Sequence, residues 1–248
     1  MTESIGSKAE IAANIARVQE WIAAACARAG RARDEVTLVA VTKLRSPEEV
    51  LAAYQCGLRH FGENRVEEAE AKLPQLASQW EGTPPTWHLI GHLQSRKARD
   101  AVALFDTVHS VDSLRLATRL NRFAGEDGRS LPILLEVNVS GEESKYGWTV
   151  TNAAEQSAFV DEVRGLAALA HLEVRGLMTM APLVADAEQA RPVFHALRDL
   201  RDRLRAEAPF SAWDDLSMGM TNDYGVAIEE GATLVRIGRA LFEGSPTG

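Results

Sequence analysis

Eight short apolar segments rich in Val, Ile and Leu recur along this chain, and a helical stretch separates each from the next. The strand patterns fall at 36–42, 58–61, 87–90, 106–109, 133–139, 173–178, 215–217 and 234–237. Helical patterns lie between them at about 46–56, 65–79, 95–104, 112–123, 151–169, 186–206 and 222–230. Strands separated by helices pair in parallel, and a parallel sheet needs both faces covered. An open doubly wound sheet usually carries a Gly-rich turn after its first strand. Here that strand runs into Val41-Thr42-Lys43-Leu44-Arg45, without a glycine. Eight βα units in about 220 residues fit a (β/α)8 TIM barrel better.

One helix precedes the barrel pattern. Residues 8–29 place Ile11, Ile15, Val18, Ile22 and Ala25 on a single stripe, and Gly30 ends it. After the first strand, Ser46 is an N-cap, Pro47 takes the first helical position and Glu49 completes a capping box; Gly57 stops that helix. A closing helical turn is expected near 240–243. No stretch reads as an interdomain linker, so a single domain over 1–248 is expected, with its core at about 8–244.

Composition narrows the partners. The 248 residues are 46% hydrophobic and 25% charged, an ordinary soluble balance, and the net charge of -8 argues against bulk nucleic-acid binding. The opening MTESIGSKAE has no basic stretch followed by an apolar one, and no apolar run approaches a membrane span. A cytoplasmic protein without a membrane partner is expected. The only cysteines, Cys26 and Cys56, fall in helical patterns and read as buried free thiols. No CxxC or HExxH occurs and the six histidines are scattered, so no metal is expected.

In a parallel barrel, ligands bind where strands end and βα loops begin. Those points hold Lys43; Glu63 and Asn64; His92 and Gln94; His109, Ser110 and Asp112; Asn138, Ser140 and Lys145; Met178 and Thr179; Ser217, Gly219, Thr221 and Asn222; and Arg236, Gly238 and Arg239. Lys43 is the sharpest. It either snorkels into water or stands in a partly dry pocket as a nucleophilic amine for an aldehyde or ketone. The loops 217–222 and 236–240 suit an anion: hydroxyls from Ser217 and Thr221, and backbone N–H groups near Gly219, Gly238 and Arg239. The plainer alternative is a pair of tight turns, with Thr221 or Asn222 capping the next helix. Arg236 shares the parity of Leu234 and points into the barrel, where it needs a partner such as Glu136 or a ligand atom.

These residues carry a resemblance. Ala40-Val41-Thr42-Lys43, Phe61-Gly62-Glu63-Asn64, the run 88–97 (HLIGHLQSRK), Asn138-Val139-Ser140, Ser144-Lys145-Tyr146-Gly147, Arg175-Gly176-Leu177-Met178, the run 216–223 (LSMGMTND) and Val235-Arg236-Ile237-Gly238 stand in the order of one family. Together they span nearly the whole chain. The sequence resembles the pyridoxal phosphate homeostasis proteins, the YggS-like or proline synthase co-transcribed family.

The resemblance implies a fold-type III barrel like the alanine racemase N-terminal domain. It implies pyridoxal 5′-phosphate (PLP) held as a Schiff base on Lys43. Ser217, Gly219, Thr221, Gly238 and Arg239 would surround the phosphate, Arg236 would face the pyridine nitrogen, and Asn64 and Met178 would line the ring pocket. Lys145 enters only as a secondary contact or regulatory residue. The implied role is vitamin B6 and amino-acid homeostasis without catalytic turnover, as a monomer or weak dimer serving PLP-dependent apo-enzymes. The alternative is a small PLP-dependent racemase. Alanine racemases add a β-domain that supplies a second base, and this chain ends at Gly248 just past the barrel pattern; Tyr146 is the one loop tyrosine that could approach the site.

Overall fold

The computed structural model describes residues 7–243. The start and end of the chain, on which the leader reading and the outer margins of the single expected domain rest, lie outside the described residues. Helix α1 (Lys8–Arg28) is followed by β1 (Thr37–Val41), α2 (Pro47–Gln55), β2 (His60–Glu63), α3 (Val66–Leu76), β3 (Thr86–Leu89), α4 (Ala98–Leu104), β4 (Thr107–Val111) and α5 (Leu114–Glu126). Then come β5 (Leu131–Asn138), β6 (Trp148–Thr149), α6 (Ala153–Val163), β7 (Leu172–Met178), α7 (Arg191–Glu207), β8 (Asp215–Ser217), α8 (Tyr224–Glu229), β9 (Leu234–Ile237) and α9 (Arg239–Phe242). Every strand pairing is parallel. The pairings β1–β9 and β4–β5 close the ring of eight, leaving β6 as a two-residue addition on β5.

Strand parity sorts the side chains. In β1, Leu38 and Ala40 join the large core under the helices, whereas Val39 joins Leu134, Met178 and Leu234 in a small separate cluster. Those four come from β1, β5, β7 and β9, so they form an apolar layer inside the barrel. Helix α1 packs on α2, α8 and α9, across the seam where the first and last strands meet. Its stripe of Ile11, Ile15, Val18, Ile22 and Ala25 is buried as the spacing predicts. Each of the larger side chains contributes about 1.5–3 kcal/mol by leaving water.

The local signals hold at α2, where Ser46 Oγ accepts from the Glu49 N–H at 3.3 Å and the Glu49 carboxylate accepts from the Ser46 N–H at 2.9 Å. Several boundaries move. β2 begins two residues later than the pattern suggests and takes in Gly62 and Glu63, because these pair with His88 and Leu89 of β3. The long patterns at 151–169 and 186–206 each divide into an α-helix and a tighter turn, at 164–168 and 187–190. Cys26 is buried on α1, but Cys56 is only half-buried, because it caps the end of α2 where the chain turns at Gly57.

Candidate functional site

At the C-terminal mouth of the barrel lies a cavity of about 330 Å³, bordered by Lys43, Lys145, Thr221, Arg236, Gly238 and Arg239 among others. That is the size of a small-molecule site. Among the described residues, four cationic side chains reach it and Asp223 is the one carboxylate on its wall. An acidic chain therefore presents a locally positive pocket, the electrostatic requirement for an anion.

Lys43 sits on the turn just past β1, with Leu44 after it in the left-handed region (φ 61). It is exposed, so the dry surroundings expected from a doubly buried strand do not reach it; the strand ends at Val41 and the lysine stands beyond. Its backbone is held from below. Lys72 of α3, buried, donates to the Thr42 carbonyl and to Glu63 Oε1, both at 2.7 Å, and Thr42 Oγ1 donates to the same carboxylate oxygen at 2.8 Å.

Arg236 is 4% exposed. Its guanidinium donates to Ser217 Oγ at 2.6 Å and to the Thr179 carbonyl at 2.9 Å, which uses two of five N–H donors while the group still borders the cavity. Burial lowers its pKa to about 10, against the attraction of Asp223 and Glu136. The expected partnership with Glu136 is thus electrostatic, not a hydrogen bond. Glu136 itself is pushed up to about 7, by burial first and Asp112 second, and its Oε2 has no hydrogen-bond partner.

The plain capping role for Thr221 and Asn222 does not hold. Helix α8 begins at Tyr224 after Asp223, whose Oδ1 accepts from the Met220 N–H at 2.6 Å. Thr221 is left to face the cavity. Gly238 precedes α9, whose first N–H groups have no partner within the helix. Gly219 adopts φ 90 and packs so tightly that a Cβ would stand 2.6 Å from that of Ala227; its carbonyl accepts from the Arg236 N–H at 3.0 Å.

Four residues expected around the cofactor, Gly219, Ser217, Met178 and Asn64, do not border this cavity. Ser217 is fully buried, and its hydroxyl is hydrogen-bonded to Arg236 and His109. Parity explains this: in the three-residue β8, Leu216 enters the outer core and Ser217 turns inward. Met178 lies in the apolar layer of the barrel and does not border the cavity. Asn64 does not border it either, although its buried Oδ1 has no partner. Tyr146 stacks on His92 with ring centroids 3.9 Å apart, and His92 Nδ1 lies 3.3 Å from Asp112.

Sequence reasoning missed the contents of the barrel below Arg236. His109 Nδ1 lies 2.9 Å from Ser217 Oγ, His109 Nε2 lies 2.9 Å from His88 Nδ1, and His88 Nε2 lies 3.0 Å from His60 Nδ1. Three of the six scattered histidines are neighbours in the barrel. Inward parity on three successive strands was the available signal. Among the described residues no cluster of three or more ligating side chains is arranged for a metal, and no helix is long and apolar enough to cross a membrane.

A closed parallel barrel with a lysine, a buried arginine and a cationic cavity at its mouth defines a class of anion-binding α/β barrels with an amine at hand. The family Alanine racemase, N-terminal domain, matches residues 7–246. The pyridoxal phosphate homeostasis protein of Aquifex aeolicus is 40% identical over 228 residues, 92% of this chain and 95% of that one. Its counterpart in Escherichia coli (strain K12) is 38% identical over 237 residues, 94% and 96% of the two chains. The structure of PipY from Synechococcus elongatus PCC7942 with PLP bound superposes with a TM-score of 0.81 at 39% identity, covering 94% of this chain and 99% of that one. Alanine racemase of Clostridium difficile 630 shares the fold alone, at a TM-score of 0.65 and 14% identity over 90% of this chain and 58% of that one. This chain belongs to the alanine racemase N-terminal domain family and, within it, to the pyridoxal phosphate homeostasis proteins.

Proposed function

We propose that this protein holds pyridoxal 5′-phosphate in the cavity at the barrel mouth, attached through Lys43, and serves as a store and donor of the cofactor without catalytic turnover. The observation that carries the reading is the cavity itself: four cationic side chains around one carboxylate, in a chain of net charge -8. The donor set fits the group. Thr221, Gly238 and Arg239 offer a hydroxyl, backbone N–H groups and a guanidinium to a phosphate, and Lys43 offers an amine to an aldehyde.

When bound, pyridoxal phosphate supplies an aldehyde that condenses with amines and a ring that can withdraw electrons. Arg236 is assigned to the ring nitrogen. Even with its pKa lowered to about 10 it keeps its proton at neutral pH, so it donates without giving up charge. An arginine facing the ring nitrogen would not supply it with a proton, so the ring would be a weaker electron sink than one facing a carboxylic acid. Lys72, Thr42 and Glu63 fix the backbone that carries Lys43. Lys145 Nζ, 3.3 Å from the Ala181 carbonyl, waits at the cavity wall as a second amine. The single domain extends over 1–248 in this reading, and the protein acts in the reducing cytoplasm as a monomer or weak dimer, with PLP-dependent apo-enzymes as recipients.

The test is reduction with borohydride after exposure to pyridoxal phosphate, followed by intact mass and peptide mapping. The expected result is one adduct, on Lys43, and none in Lys43→Ala. No adduct, or an adduct spread over several lysines, would overturn the reading.

A further inference from the structure

The interior of the barrel holds an unusual polar line. It starts at Arg236 on β9, crosses to Ser217 on β8, and from there to His109 on β4, His88 on β3 and His60 at the start of β2. β4 and β8 are not neighbours in the ring, so the bond between Ser217 and His109 spans the lumen. Ser217, His109 and His88 are at most 3% exposed, whereas His60 is half-buried at the opposite mouth.

The direction of every bond follows from chemistry. A guanidinium only donates, so Ser217 Oγ accepts from Arg236. Among the described residues Ser217 Oγ has one other partner, His109 Nδ1; if that nitrogen carried a proton, the buried hydroxyl hydrogen would have no acceptor there. Ser217 therefore donates to His109 Nδ1. His109 then carries its proton on Nε2 and donates to His88 Nδ1, and His88 likewise donates through Nε2 to His60. Each ring is neutral and each holds the same tautomer. Burial agrees: it pushes His88 down to about 3 and His109 well below its ordinary value, with the nearby charge of Arg236 adding to the effect on His109.

We propose that His109, His88 and His60 are positioning residues for Arg236, forming with Ser217 a one-way chain of hydrogen bonds that orients the cofactor-facing guanidinium from beneath. The chain gives Arg236 an acceptor without placing a second charge in the barrel. Bonds aligned in one direction polarise one another, so the last link affects the first. A carboxylate in place of Ser217 would hold the arginine more tightly but would neutralise the pocket that must take a phosphate. The assignment of Arg236 to the cofactor rests on the function proposed above; the chain itself does not.

Two measurements on the full chain separate the two ideas. Nitrogen-15 spectra of the histidine rings, recorded without cofactor at neutral pH, are expected to show His88 and His109 neutral with the proton on Nε2. A proton on Nδ1 of either ring, or a charged imidazolium, would overturn the chain. Titration with pyridoxal phosphate is expected to show Ser217→Ala and His109→Leu binding roughly tenfold more weakly than the parent, the factor for one hydrogen bond to a charged group. His109→Asn, whose amide oxygen replaces the Nδ1 acceptor, is expected to recover most of the loss. Parent-level affinity in Ser217→Ala, or equal affinities for the Leu and Asn variants, would refute the positioning role. Should His109→Leu fail to fold, Ser217→Ala and the ring spectra decide. A parent protein that never takes up pyridoxal phosphate would refute the functional reading, and the ring spectra would still decide the chain.

Discussion

Lys72 donates to the backbone carbonyl of Thr42 at 2.7 Å, one residue before Lys43. The same ammonium is paired with Glu63, whose side chain is fully buried. A lysine that never touches the cavity thus fixes the turn from which the cavity's amine projects. Buried ion pairs add little to stability as a whole, but breaking one strands a charge.

Replacing Lys72 by Met leaves the Glu63 carboxylate alone in the core, where burial already pushes its pKa up against the pull of Lys72. The expected cost is about 3–5 kcal/mol by urea denaturation. Adding Glu63→Gln to that variant recovers much of it, because no buried charge remains. A double variant as unstable as the single one would mean that packing of the lysine stem, and not charge, is what matters.

Glu136 makes stability depend on pH. Its pKa is about 7 in the folded protein against an ordinary 4.5. Between these values the folded state binds a proton that the unfolded state has released, so stability falls as pH rises through the window and levels off above it. Glu136→Gln removes this contribution to the dependence. The variant should gain on the parent by up to about 3 kcal/mol from about pH 5 to about pH 7.5 in the absence of cofactor. Denaturation curves whose separation does not change with pH would contradict this.

Gly219 combines φ 90 with neighbours at 2.6 Å and 2.9 Å from any added Cβ, the nearer one on Ala227 and the other the Cα of Tyr224. Gly219→Ala suffers both backbone strain and overpacking, about 2–4 kcal/mol together. The loop to Thr221 must shift to relieve it, so affinity for pyridoxal phosphate should fall along with the melting temperature. A variant that melts like the parent would show that the loop yields freely.

The phosphate contacts are separable from the rest. Thr221→Val and Arg239→Ala should each weaken binding of pyridoxal phosphate by about tenfold while leaving binding of unphosphorylated pyridoxal unchanged. Calorimetric titration with the two ligands makes the comparison. Equal losses for both would move the phosphate away from these loops.

The sequence made the barrel legible because parallel strands buried on both faces leave a period that helices interrupt. Lys43, Thr221, Arg236, Gly238 and Arg239, which strand ends and glycine turns mark locally, border one cavity. The bond from Arg236 to Ser217 is not legible in the sequence, because three residues are too few to display parity and only the completed barrel shows that the hydroxyl turns inward. The histidines are 28 and 21 positions apart along the chain, and strand register alone brings them into contact. Polar residues at inward positions look like interruptions of a strand until their partners are known. Gly62 and Glu63 fall past the end of the 58–61 pattern for a similar reason: their strand character comes from β3.

Trp148 and Thr149 return to pair with Val137 and Asn138, the end of the strand that the chain has just left. Residues 139–147 are therefore an excursion pinned at both feet to one place, with Asn138 bracing it through the Gly141 N–H and the Glu142 carbonyl. Its length is decoupled from the closure of the barrel, and lengthening such a segment costs little closure entropy. Insertions or exchanges there would reshape the side of the mouth where Lys145 stands without disturbing strand order or stagger. What meets the cargo at the opening can diversify while the vessel that holds it stays the same.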